Sequence, residues 1–169
     1  MKKIALVIFL FLSAVCAFAE KNPLFVFSGE SYMQRGILTF DNREIAFTVY
    51  VKTSSDKIKL VMDTPAGSLA WVELDHFGNL IRCEGGKFFP KRFVESFVLP
   101  NFRAIMGFTK FLDSPLMYIK NGRACEINYG ETVIKFEDLT DLELLKTLPR
   151  IEIISPKYKL EFNYIASIC

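Results

Sequence analysis

The chain has 169 residues, 51% of them hydrophobic, with 21 Lys and Arg against 19 Asp and Glu and a single His. The excess of positive charge resides in Lys2 and Lys3. Downstream of them the signs balance, so no basic surplus points to a nucleic-acid partner. One His and scattered Cys without a CxxC spacing argue against a zinc site and against a thiol-exchange enzyme.

Lys2 and Lys3 precede an apolar run from Ile4 to Val15, and Ala17-Phe18-Ala19 puts small residues at the two positions a leader peptidase reads. Residues 1–19 are therefore expected to be a secretory signal cleaved before Glu20, too short for a membrane anchor. Residues 20–169 then form one domain, large enough for a core of its own. Lipid anchoring at Cys16 is not expected, because Val15 precedes it where a lipidation signal needs a small residue. Export makes a disulfide feasible. Cys83 with Cys125 is one pairing, while Cys169 could pair instead or stay free.

From Gln34 the pattern is of short strands and turns. Gly36 to Phe40 leads through an Asp41-Asn42 turn into Ile45 to Lys52, where Ile45, Phe47, Val49 and Val51 share one face. Lys57 to Met62 places Ile58, Leu60 and Met62 on one side, and a turn at Pro65 and Gly67 follows. Ser68 to Leu74 is apolar on both faces, with Leu69 and Trp71 opposite Ala70, Val72 and Leu74. "LIRCE" and "GGKFF" continue what looks like an antiparallel meander.

After Pro90 the apolar spacing changes from two towards 3.6. Pro100 suits a first helical turn, so the helix is expected from there, with Phe102, Ile105, Met106 and Phe108 on its apolar side and an end between Leu112 and Pro115. Gly107 weakens it. Asn121-Gly122 then signals a hairpin, Thr132, Ile134 and Phe136 share a strand face, and Asp141 to Leu148 is a short helix or an irregular link. The chain closes on "RIEIISP" and on a strand in which Tyr158, Leu160, Phe162 and Tyr164 alternate with polar residues.

The sum is a mainly β, antiparallel domain of eight to ten strands with one or two helices. A sheet of that length curls or closes, so a barrel or half-barrel with a helix over its mouth is expected; the alternative is a sandwich with the helix on an edge.

Catalytic groupings are weak. His76 stands beside Asp75 in a turn, but no Ser occupies a nucleophile elbow. Gly85-Gly86 lacks the context of a phosphate loop, and acidic pairs such as Glu137 and Asp138 suit a solvated surface. No cofactor, metal or enzymatic activity is expected. The apolar content is more informative. All but three of the 17 Phe lie beyond the leader, and a curved sheet capped by a Phe- and Met-bearing helix describes an acyl-chain pocket as well as a core.

The order of "GILTF", "IAFTVYV", "DKIKLVMDTPAGSLAWVELDHFGNLI" and the helix near "FVLPNFRAI" resembles the LolA/LolB family of periplasmic lipoprotein carriers, most of all its uncharacterised LolB-like members. The resemblance spans Tyr32 to Phe162. It implies an unclosed half-barrel with helices over its concave face, binding lipid or lipoprotein acyl chains. It also implies a soluble periplasmic location after signal cleavage, and transfer from an inner-membrane donor to an outer-membrane acceptor. The pocket candidates are Phe47, Val49, Leu60, Met62, Leu69, Trp71, Phe102, Ile105, Met106, Phe108 and Phe162. Two departures stand out: the lipidation signal is poor, and Asp63 to Gly67, where LolB carries a protruding hydrophobic loop, has no Leu or Trp at its tip. A structural or adaptor protein of the envelope with a filled core is the competing expectation.

Overall fold

The computed structural model describes residues 31–86, 89–120, 123–137 and 150–168. The leader expected at 1–19, the hairpin turn expected at Asn121-Gly122, the segment expected as a helix or link at 141–148, and Cys169 lie outside the described residues.

Period-two alternation becomes ten strands: β1 (Ser31–Phe40), β2 (Arg43–Thr53), β3 (Lys57–Thr64), β4 (Gly67–Asp75), β5 (Leu80–Gly85), β6 (Leu116–Lys120), β7 (Arg123–Tyr129), β8 (Thr132–Glu137), β9 (Arg150–Ser155) and β10 (Tyr158–Ile168). They form one antiparallel sheet in the order β5-β4-β3-β2-β1-β10-β9-β8-β7-β6. Two meanders are thus joined through β1 and β10, and the edges β5 and β6 stay apart. The sheet is unclosed, as expected. Asp41 (φ 50°) and Asn42 (φ 58°) make the tight β1–β2 turn, whose left-handed residues match the twist of the flanking strands.

One face of the sheet is buried. Leu38, Phe47, Val49, Leu60, Val72, Ile127, Ile134, Ile153 and Phe162 all point into it, from eight different strands. The other face carries charge pairs, among them Lys59–Glu73 on β3 and β4 and Lys159–Glu152 on β10 and β9. Such pairs on a wet surface contribute little individually.

Among the described residues one helix, α1 (residues 91–105), covers the buried face. It consists of an opening turn Lys91–Phe93, a wider π-helical stretch Val94–Val98, and the α-helical Leu99–Ile105. The helix therefore begins nine residues before Pro100, contrary to the expected start. Pro100 lacks an N–H and its ring crowds the carbonyl four residues back. The π turn just before it, in which the Leu99 N–H reaches the Val94 carbonyl, relieves that conflict. The end is also earlier than expected. Gly107 takes φ 80°, the Phe108 N–H bonds to Arg103 O (2.8 Å), and the Gly107 N–H bonds to Ala104 O (3.0 Å), which is a Schellman stop. A 3-10 turn, Thr109–Phe111, then leads towards β6. Residue 89 is likewise a bend before the helix rather than part of a further strand.

Candidate functional site

Phe93, Phe97, Asn101 and Ile105 recur at every fourth position of α1, and Phe89 extends the row before it. Side chains at that spacing stack along one side of a helix. Here they face the sheet. The rings of Phe89 and Phe93 lie 4.5 Å apart, those of Phe93 and Phe97 4.7 Å, and Phe97 meets Tyr158 edge-on at 5.4 Å. Between this ridge and the sheet lies a small apolar hollow of about 40 Å³, bounded by Leu38, Val49, Leu60, Met62, Ile153 and Leu160. That volume suits a few atoms, and its walls offer water almost nothing.

A larger chamber opens beside it. Its volume is about 580 Å³, and its walls are Leu38, Phe40, Ile45, Ala46, Thr64, Pro65, Ala66, Leu69, Phe89 and Phe93. It lies where the β1–β2 and β3–β4 turns meet the start of α1, and it opens to solvent. Leu38, Phe89 and Phe93 border both spaces. The chamber falls within the size range of small-molecule sites.

Polar atoms in these walls are few and already partnered. Asn101, 3% exposed, donates from Nδ2 to Phe97 O (2.7 Å) and to the Tyr158 hydroxyl (2.8 Å), and its Oδ1 accepts from the Tyr129 hydroxyl. This cluster ties α1 to β7 and β10, and so to both sides of the second meander. Burial pushes the Tyr158 and Tyr129 phenols up, so both stay protonated. At the chamber, the Thr64 hydroxyl donates to Gly67 O (3.0 Å) and accepts from the Ala66 N–H (3.2 Å).

Of the residues singled out from sequence, Val49, Leu60, Met62, Phe102, Ile105 and Phe162 line the inner hollow and Leu69 lines the chamber. Phe47 is buried on the same face, but it covers Gly36 and meets Phe162 edge-on at 5.6 Å instead of bordering the space. Met106 and Phe108 are buried past the helix, Phe108 packing against Gly78 in the β4–β5 turn. Trp71 is a clear correction: it lies on the outer face, between Lys59 Nζ, 3.7 Å from the ring centre, and Arg82. A bulge in the β3–β4 register lets both Leu69 and Ala70 turn inwards, which sends Trp71 outwards. Cys83 and Cys125 are both free thiols, so the pairing considered for them is not made.

Sequence reasoning missed Leu38, Phe40, Ile45, Ala46, Thr64 to Ala66, Phe89, Phe93, Phe97, Val98, Asn101, Ile153, Tyr158 and Leu160 as wall residues. The shared face of Tyr158, Leu160 and Phe162 was a usable signal. So was the four-residue spacing from Phe89 to Ile105.

Other chemistry is sparse. The Asp75 carboxylate holds its own turn, accepting from the Phe77 N–H (2.8 Å), the Asn79 N–H (2.8 Å) and Asn79 Nδ2 (2.8 Å). His76 lies against the Phe77 ring beside it. Among the described residues no three His, Cys, Asp or Glu side chains gather as metal ligands, and no helix is long and apolar enough to cross a membrane. Compared with known proteins, the sequence matches no family model and no curated protein.

Proposed function

We propose that the protein is a periplasmic carrier that holds lipid or lipoprotein acyl chains in the chamber beneath the start of α1 and passes them towards the outer membrane without catalysis. The observation that supports this reading best is the open chamber of about 580 Å³ with walls of aliphatic and aromatic side chains. A hydrocarbon chain needs nothing more. Each methylene moved from water into such walls contributes roughly 0.8 kcal/mol. The resemblance to LolA/LolB carriers supports the same reading, as do the leader-like first residues. In this scheme the membranes supply donor and acceptor.

A second reading is favoured by the inner hollow. At about 40 Å³ it leaves most of the concave face filled by α1, as in a structural or adaptor protein with an ordinary core. Purification from the periplasm without detergent, followed by native and denaturing mass measurement, separates the two. Lipid that is retained in the native mass and lost on denaturation supports the carrier. Empty protein that also refuses an acyl probe rules it out.

A further inference from the structure

The walls of the chamber also bear on which ligands it can distinguish. Among the described residues, neither space is lined by Asp, Glu, Lys, Arg or His. The polar side chains in the walls are Thr64, Asn101 and Tyr158. Thr64 is engaged by its own turn, and Asn101 and Tyr158 bond each other, with Phe97 O and Tyr129 completing the set. A ligand head drawn inside would lose its water and find no free partner, which costs several kcal/mol for an ion. The chamber opens to solvent beside the turns and is walled by Phe89 and Phe93 at the start of α1. A chain therefore enters tail first.

We infer that this site selects a ligand by its hydrocarbon chain and is indifferent to its head group, binding single-chain amphiphiles with the head left in water beside Thr64, Pro65 and Ala66. The inference rests on the carrier reading and narrows it. Anionic, zwitterionic, cationic and uncharged heads on one chain bind alike, whereas shortening the chain weakens all of them together. The phenol of Tyr158 remains protonated through the ordinary pH range, so the walls add no pH dependence of their own.

The test is displacement of an uncharged fluorescent probe, 1-N-phenylnaphthylamine, from the full chain. The competitors are lauric acid, dodecanol, dodecylphosphocholine and dodecyltrimethylammonium, each below its micelle concentration. The expected result is four affinities within about threefold of one another, with the ten-carbon analogues about tenfold weaker in every case. A tenfold preference for one head at equal chain length overturns the inference and leaves the carrier reading standing. Failure of the probe and of every competitor to bind overturns both. The variant Ala66→Lys, at an exposed position of the β3–β4 turn, places the head directly. It should bind lauric acid at least threefold more tightly than dodecyltrimethylammonium. Unchanged indifference in that variant would show that the head does not sit at the turn, which also overturns the inference.

Discussion

The Phe47 ring lies directly over Gly36. A Cβ built on residue 36 would stand 2.3 Å from Phe47 Cζ, a separation no real contact allows. Gly36 and Phe47 are register partners on β1 and β2, and Phe162 on β10 faces Gly36 from the other side. An absent side chain on the central strand thus lets one ring span it and meet a second ring edge-on, an arrangement of aromatic pairs that adds to plain burial.

Gly36→Ala should therefore destabilise the protein although Ala suits a strand better than Gly. Displacing a packed ring costs about 1–3 kcal/mol. Thermal unfolding followed by circular dichroism should show a midpoint several degrees lower. The variant Gly36→Ala/Phe47→Leu should recover part of the loss, because the shorter side chain leaves room for the methyl group.

Asn101 holds two tyrosine hydroxyls and a helix carbonyl at once. Asn101→Leu keeps the volume and takes one hydrogen-bond partner from each of these buried groups, which costs about 1–3 kcal/mol. Tyr129→Phe removes one of the hydroxyls that Asn101 holds. In a double-mutant cycle by urea denaturation the two changes should cost clearly less together than the sum of the single changes. Simple additivity would mean that the contacts at Asn101 are energetically separate.

The Asp75 carboxyl is held below its usual range, mainly by the Asn79 side-chain amide, with backbone N–H groups of Asn79 and Phe77 and nearby His76 assisting. A depressed folded value stabilises the ionised form. Its contribution is complete above the unfolded value near 3.9 and is lost as the pH falls below that, through the folded value. Asp75→Asn should lower stability at pH 7 and flatten the acid limb of the stability profile relative to wild type. Unfolding midpoints measured from pH 6 to pH 2.5 provide the check.

Phe93 is one of the three residues that border both hollows. Phe93→Ala should join them, at a cost of about 2–3 kcal/mol in stability because the ring is only partly covered. Under the carrier reading, the variant should favour acyl chains a few carbons longer than the wild type does. A competition series across chain lengths measures this. A variant with weaker stability and the same length preference would assign Phe93 to the core alone.

Much of the sheet was legible in the sequence. Strands wet on one side and dry on the other declare themselves by alternation, and Ile45 to Val51 and Tyr158 to Phe162 do so clearly. Where both faces are apolar, the signal fails. In Ser68 to Leu74 nothing in the residue pattern marks the bulge that turns Leu69 and Ala70 inwards together, and Trp71 was assigned to the wrong face for that reason. The start of α1 was missed because Pro100 looked like a first-turn proline, whereas a π turn accommodates it in mid-helix. The chamber was least legible. Its walls come from two turns and a helix start that only the curl of the sheet brings together, and short residues such as Ala46 and Ala66 carry no hint of what they border.

The pairing of β1 with β10 has a consequence for how the chain reaches this state. Every other neighbour in the sheet lies close in sequence, so each meander can assemble from local hairpins as the chain appears. β1 is the exception. It waits with one edge open until the last strand has been made, when Thr39 can face Lys159 and Ser31 can face Ile168. Long-range closure of this kind is slow, and an open apolar edge is where chains stick to one another. The first meander alone, released as a fragment ending after β5, would carry that hazard permanently. In the intact chain the hazard lasts only until β10 has been made and has paired with β1.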